Sequence, residues 1–208
     1  QAHQKKAPIC AKNMQPARQF FHTLRGARRM LERSVSTMIL ETQRLCFRRL
    51  TQDDFGNLCT ILQDPKAMYA YEHAFSDEEV QQWVDRQLER YREYGFGLWA
   101  VLLKQTGEFI GQAGLTMQDC DGEQLLEIGY LFRRVYWHNG YATEAARALK
   151  QYAFDTLGAQ RVYSIIRDTN IASQKVAMRN DMLPVKQFVK HYYGMDMPHI
   201  VFCAQRGE

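Results

Sequence analysis

The stretch that most constrains this 208-residue chain runs from Leu125 to Ala146: Leu-Leu-Glu-Ile-Gly-Tyr-Leu-Phe-Arg-Arg-Val-Tyr-Trp-His-Asn-Gly-Tyr-Ala-Thr-Glu-Ala-Ala. It reads as a strand, a turn carrying Gly140, and a helix that starts with small residues. The first amides of a helix have no internal acceptor and sit at the positive end of its dipole. Small residues there let an anionic group come close to those amides. The same small residues also serve plain strand-to-helix packing, and spacing alone does not separate the two. A Rossmann fingerprint is excluded, because G-x-G-x-x-G is absent.

The elements around this stretch alternate quickly. Leu45 to Leu50 reads as a strand. Thr51 caps a short helix, with Asp54 at its third position and Phe55, Leu58, Ile61 and Leu62 on one face. Ser76-Asp-Glu-Glu79 is a capping box for a long helix whose face is Val80, Trp83, Val84, Leu88 and Tyr91, stopped by Gly95. Strands are expected over 97–103, 108–117 and 125–131, with turns at Gln105-Thr-Gly107 and Asp119-Cys-Asp-Gly122. A helix follows over about 141–157, then a strand over 160–167 and a helix capped by Asn170. Two last strands are expected over 185–192 and 199–204. The order β-α-α-β-β-β-α-β-α-β-β specifies a mixed α/β layer fold, with about seven mostly antiparallel strands and about four helices.

Composition fixes the class. The apolar fraction is 46% and the charged fraction 24%, an ordinary globular balance large enough for one core. No run of 18 apolar residues occurs, so no membrane partner is expected. The net charge of +4 hides an uneven split. Residues 1–37 carry eight basic side chains and one acid, a net +7, while 38–208 carry 19 basic and 22 acidic ones, a net −3. The body therefore gives no electrostatic reason to bind nucleic acid, and any such contact would fall to residues 1–37.

Those first 37 residues form a distinct basic extension, with the folded domain expected over 38–208. Phe20, Phe21, Leu24, Ala27, Met30 and Leu31 recur at helical spacing, which predicts an amphipathic helix over 17–34. Three readings stay open for the extension: a targeting peptide, a docking arm, or a segment foreign to the native chain. Five cysteines, none in C-x-x-C spacing, argue against a disulfide framework or a zinc site. No secretory signal is visible. The expected location is the cytoplasm, and the expected assembly a monomer or homodimer.

The block Tyr136-Trp-His-Asn-Gly-Tyr-Ala-Thr-Glu-Ala-Ala146 resembles the acetyl-CoA-binding motif of the GNAT superfamily of N-acetyltransferases. That motif is Gln or Arg, two residues, Gly, one residue, then Gly or Ala; it falls on Trp137, Gly140 and Ala142. The nearest branch is the RimJ/RimL type, which acetylates ribosomal-protein N-termini and other amines. Three segments agree in order: Leu40 to Leu50 with the opening strand, Glu127-Ile-Gly-Tyr130 with the fourth strand, and Asn170-Ile-Ala-Ser173 with the N-x-x-S cap after the fifth. The likeness spans roughly 39–206. Trp137 departs from the usual Gln or Arg, His138 replaces a usual Gly, and Asp181 stands where Gly usually ends the helix.

The resemblance implies direct acetyl transfer from acetyl-CoA to a primary amine, either a protein N-terminal α-amine or a small molecule, without a metal. Glu127 is then the candidate base, a carboxylate in an apolar strand whose burial would raise its pKa; its alternatives are an edge position or an arginine partner. Tyr130, Leu131, Phe132 and Arg133 would meet the thioester and pantetheine, with a backbone N–H of Leu131 or a neighbour on the carbonyl. The amides of Asn139, Gly140, Tyr141, Ala142 and Thr143 would bind the pyrophosphate, with His138 also at the cofactor. Asn170 and Ser173 would face the pantetheine arm, or simply cap a helix. Ser173 is the candidate acid, because a family Tyr one turn later is here Ala177. The loop over 63–75 and the last hairpin, with His191, Tyr192, Tyr193 and His199, would shape the amine pocket. Asp77, Glu78 and Glu79 either draw in a cationic amine or complement a helix N-terminus. The competing reading is a non-catalytic acyl-CoA sensor or scaffold with a basic arm.

Overall fold

Local signals set most of the elements. The computed structural model describes residues 38–192 and 194–207; the helix expected over 17–34 and Tyr193 lie outside them. Eight strands form one sheet in the order β1-β2-β3-β4-β5-β6-β8-β7. They are β1 Met38–Glu41, β2 Leu45–Arg49, β3 Leu98–Leu103, β4 Phe109–Cys120, β5 Glu123–Phe132, β6 Arg161–Arg167, β7 Leu183–Tyr192 and β8 Met195–Gln205. The strand beyond the seven expected is β1, four residues that pair antiparallel with β2.

Four helices flank the sheet: α1 Phe55–Leu62, α2 Asp77–Glu93, α3 Tyr141–Asp155 and α4 Ile171–Arg179. The Thr51 signal opens a 3-10 turn over Gln52–Asp54, and α1 follows it. At α2 the capping box is present: the Glu79 amide donates to Ser76 Oγ at 3.3 Å, and the Ser76 amide to Glu79 Oε2 at 2.8 Å.

Alternation along β5 separates two cores. Ile128 and Phe132 pack with Ala145, Ala146 and Leu149 of α3. Leu131, on the opposite face, packs with α1 and α2 residues such as Leu58 and Val84. The sheet is therefore the middle of three layers. The small residues of α3 are what allow close contact: Ala145, Leu149 and Ala153 are fully buried.

The β4–β5 hairpin turns on Asp121 and Gly122, with φ of 56° and 82°. Two positive φ values in a two-residue loop are the turn that matches strand twist. An unbroken register from Gly111↔Phe132 to Cys120↔Glu123 follows. β3 and β4 approach so closely that a Cβ on Gly114 would stand 2.0 Å from the Gly97 carbonyl.

One join in the sheet differs from the rest. β5 and β6 are parallel neighbours and pair only at Glu127↔Tyr163. Beyond that point their C-terminal halves separate, and the sheet opens into a cleft.

Candidate active site

The cleft is part of a cavity of about 940 Å³. Glu127 to Phe132 of β5 and Ser164 to Arg167 of β6 form its walls, and residues of α2 on one face and of α3 and α4 on the other complete it. It runs through the sheet where the two strands part.

Glu127 sits at the start of the opening. The amide of Ile165 on β6 donates to its Oε1 at 3.3 Å, and Thr116 Oγ1 lies 3.4 Å from its Oε2. Burial pushes its pKa up to about 7, against the pull of Ile165, Lys190, Thr116 and Arg90. A carboxylate with that value can take a proton near neutral pH and release it again.

Backbone direction in β5 follows from its ladder. The Arg133 amide donates to the Ile110 carbonyl of β4 at 2.9 Å. Antiparallel alternation then turns the Leu131 amide toward β4 as well, and those of Tyr130 and Phe132 toward the cleft. Trp137 Nε1 reaches the Phe132 carbonyl on that side at 2.8 Å. Of "Leu131 or a neighbour", the neighbours have the N–H groups that face the opening.

The turn into α3 is built on left-handed backbone. His138 has φ of 62°, and Gly140, the residue before the helix, has φ of 78°. The first helical bond runs from the Glu144 amide to the Gly140 carbonyl at 3.0 Å. The amides of Tyr141, Ala142 and Thr143 thus have no acceptor within the helix. Gly140, Tyr141, Ala142, Thr143 and His138 all line the cavity.

Arg133 is a departure from expectation. It does not line the cavity; its guanidinium meets Glu108 and the Phe109 carbonyl, both at 3.2 Å, because the chain turns after Phe132. Asn139 also stays off the wall and braces the turn, donating to the carbonyls of Tyr136 at 3.2 Å and Trp137 at 2.9 Å. Arg44, which no sequence motif marks, holds the same turn from the bend before β2. It donates to the Asn139 carbonyl at 3.0 Å and to Glu144 at 2.6 Å, and lies 4.5 Å from the centre of the Tyr141 ring. Burial raises the pKa of Glu144, but hydrogen bonds from Thr42 and Arg44 outweigh it and hold the carboxyl below its ordinary value.

On the far wall, Asn170 Oδ1 accepts from the Ser173 amide at 3.1 Å and from Tyr69 Oη at 2.6 Å. Asn170 is therefore the cap of α4, and Ser173 contributes only its backbone to that cap. The Ser173 side chain is left to the cavity it lines. Tyr130 Oη lies 3.4 Å from the Ser173 carbonyl, and burial raises its phenol pKa. Ala177 is buried in the core. Asp181 has φ of 59°, the left-handed conformation its position demands.

The 63–76 segment and the last hairpin meet at the mouth. Tyr69, Tyr71 and Phe75 line it from one side, and Phe188, Lys190 and His199 from the other. His191 is exposed and pairs with Asp196 at 2.6 Å, away from the wall. Glu79 is taken up by its cap and by His73 at 2.8 Å, and Asp77 by Gln63 at 2.6 Å. Among the described residues, no group of three or more His, Cys, Asp or Glu side chains is placed to hold a metal ion, and no helix is long and apolar enough to cross a membrane.

Residues 44–183 match the family model of the acetyltransferase (GNAT) domain. The chain belongs to the GNAT acetyltransferases. The Bacillus subtilis protein YkkB is 35% identical over 144 residues, covering 69% of this chain and 84% of YkkB. A GNAT-family acetyltransferase from Bacillus anthracis superposes with a TM-score of 0.71 at 22% identity, covering 82% of this chain and all of that one. RimL, the ribosomal L7/L12 α-N-protein acetyltransferase, in complex with coenzyme A, superposes with a TM-score of 0.67 at 16% identity, over 81% and 97% of the two chains. At those identities the two structures establish the fold. As a GNAT enzyme, the chain is an acetyltransferase that uses acetyl-CoA. The cavity fits that substrate: it is open along a splayed strand pair, carries inward amides on β5, and ends at the unpaired amides of α3.

Proposed function

We propose that this enzyme transfers the acetyl group directly to a primary amine, as enzymes of the RimJ/RimL type do, with the chemistry centred on Glu127. The observation that carries this reading is a carboxylate with a pKa of about 7 at the point where β5 and β6 separate. The amides of Tyr141, Ala142 and Thr143 hold the pyrophosphate at the positive end of α3. The turn set by His138, Asn139 and Gly140 presents them, and Asn170 and Ser173 line the pantetheine arm.

Glu127 accepts one proton from the bound ammonium and frees the nitrogen lone pair. The nitrogen attacks the thioester carbonyl carbon while the Tyr130 and Phe132 amides face the developing oxyanion. The carbon–nitrogen bond forms and the carbon–sulfur bond breaks. The second nitrogen-bound proton ends on the departing sulfur through the Ser173 hydroxyl, giving the amide and free CoA. Glu127 returns its proton to water.

Residues 38–208 carry this activity, and 1–37 lie outside it. The free thiols of Cys46, Cys59, Cys120 and Cys203 fit work in the reducing cytoplasm. The test is a thermal shift with acetyl-CoA, CoA and ATP, joined to thiol release over a set of amines, on the whole chain and on one lacking 1–37. A CoA ligand at ~100 times its Kd adds about 2.7 kcal/mol. Stabilisation by both CoA forms but not ATP, with amine-dependent thiol release in both chains, is the expected result. No stabilisation, or loss of it on truncation, contradicts the assignment.

A further inference from the structure

The acceptor side of the cavity holds positive charge for which the transfer chemistry has no use. Along α2, Glu79, Gln82, Trp83, Arg86 and Arg90 line the wall, a spacing of three and four that places them on one helix face. Glu79 is committed to its cap and to His73, which leaves Arg86 and Arg90. Arg167 of β6 and Lys190 of β7 line the same space.

These arginines differ from four others in the molecule. Arg44, Arg48, Arg133 and Arg134 each pair with a carboxylate: Glu144, Asp54, Glu108 and Asp64 respectively. Among the described residues, no carboxylate lies within 4.0 Å of Arg86, Arg90 or Arg167. Arg90 is half-buried, and its hydrogen-bond contact among the described residues is a long one, to Gln87 Oε1 at 3.4 Å. Arg167 Nε is buried with no hydrogen-bond partner. Burial and the adjacent Arg86 work against the charge on Arg90, and outweigh the nearby Glu127, which favours it. Of the acids on the wall, Glu79 is committed, Glu127 is the base and Asp119 braces the β4–β5 turn through the Gly122 amide at 3.2 Å, which leaves Glu72, among the described residues, to face Arg86, Arg90 and Arg167.

A desolvated guanidinium without a counter-ion is costly, and its planar fork matches a carboxylate or phosphate. An acceptor that is purely cationic would be repelled at this wall. We propose that the acceptor is a primary amine bearing its own anionic group, a carboxylate or a phosphate a few bonds from the nitrogen, with the nitrogen at Glu127 and the anion on Arg90. Arg86, Arg167 and Lys190 add to the field that draws it in. This rests on the transferase reading above and narrows its substrate class.

Matched pairs test it: alanine against alaninamide for a carboxylate, O-phosphoethanolamine against ethanolamine for a phosphate, and a C-terminally amidated peptide without acidic side chains. The expected result is a kcat/KM at least about tenfold higher for the anion-bearing member of one pair, the equivalent of about 1.4 kcal/mol. In Arg90→Met that preference collapses through KM, and Arg86→Gln, at an exposed site that leaves the fold intact, lowers it in the same direction. Equal or better turnover of the partners that lack the anion and of the peptide overturns the proposal. Calorimetric binding of the pairs to the CoA-loaded enzyme separates the two claims. Preferential binding of the anionic amines without thiol release contradicts the transferase reading alone. Preference for the members without the anion overturns this inference whatever the turnover.

Discussion

The Ile165 amide donates to Glu127 Oε1 at 3.3 Å beside the one ladder pair of β5 and β6, Glu127 with Tyr163. Beyond it the sheet opens, so the carboxylate is anchored by one strand while belonging to the other. Burial nevertheless dominates and lifts its pKa to about 7. The unfolded chain releases that proton near the ordinary value of about 4.3. Between those values the native state binds more protons than the unfolded state. Stability therefore falls as pH rises through that window and levels off above it. Glu127→Gln removes the fall. Its thermal midpoint, relative to the parent, should be higher at pH 8 than at pH 5. The same difference at both pH values would show that Glu127 is not desolvated.

Gly140 joins a left-handed φ of 78° to the opening of α3, and a Cβ there would meet only Arg44 Nη2 at 3.6 Å. The glycine is needed for conformation more than for space. Gly140→Val forces a branched residue into that region at roughly 1–2 kcal/mol. The expected outcome is a cooperative melt at a lower midpoint that acetyl-CoA no longer raises. Gly140→Ala should show the same defect in milder form. Normal stabilisation by acetyl-CoA in Gly140→Val would remove the pyrophosphate from this turn.

Ser173→Ala separates chemistry from capping, because the cap runs from the Ser173 backbone to Asn170. Stability should stay within about 0.5 kcal/mol of the parent, while kcat falls with acetyl-CoA affinity retained. Full kcat in the variant would leave thiolate protonation to another group. Asn170→Ala, by contrast, should cost about 1 kcal/mol through loss of the cap.

The buried ion pair between Arg48 and Asp54 ties β2 to the turn before α1 with two contacts of 2.7 Å. Burial raises the Asp54 pKa, but the bonds from Arg48 and the Thr51 amide outweigh it and hold the carboxyl below its usual range. A depressed native pKa contributes stability above the unfolded value of about 3.9, lost as pH falls through the native one. Asp54→Ala should therefore destabilise by about 3–5 kcal/mol at pH 7, leaving Arg48 unpaired. The gap should narrow in acid, and denaturant melts at two pH values would read it. A gap independent of pH would assign the loss to packing.

Much of this was readable from residues that act locally. The Ser76–Glu79 box forms as its spacing predicts, and an acid between Leu126 and Ile128 marks a carboxylate to be buried. The Asp121-Gly122 turn carries more than the hairpin: counting back from a two-residue loop sets Thr116 opposite Glu127, a contact legible in principle but passed over. Long-range positions were not legible. Arg44 reaches the α3 turn from the bend between β1 and β2, some hundred residues earlier, and no local pattern marks it. The same count from the hairpin loop turns the Leu131 amide toward β4, but sequence alone could not show that a cleft lies along the other edge of β5. β1 is too short to stand apart from β2, and Arg133 reads as part of the motif until the chain is seen to turn.

The most direct test of the account is the pH dependence of acetyl transfer in the parent enzyme and in Glu127→Gln. The parent should gain kcat/KM as pH rises through an apparent pKa near 7. Glu127→Gln should keep acetyl-CoA binding, lose that step, and fall in turnover by about 10²- to 10⁴-fold, the range of one general base. A variant with parental turnover and the same pH step would contradict the central claim.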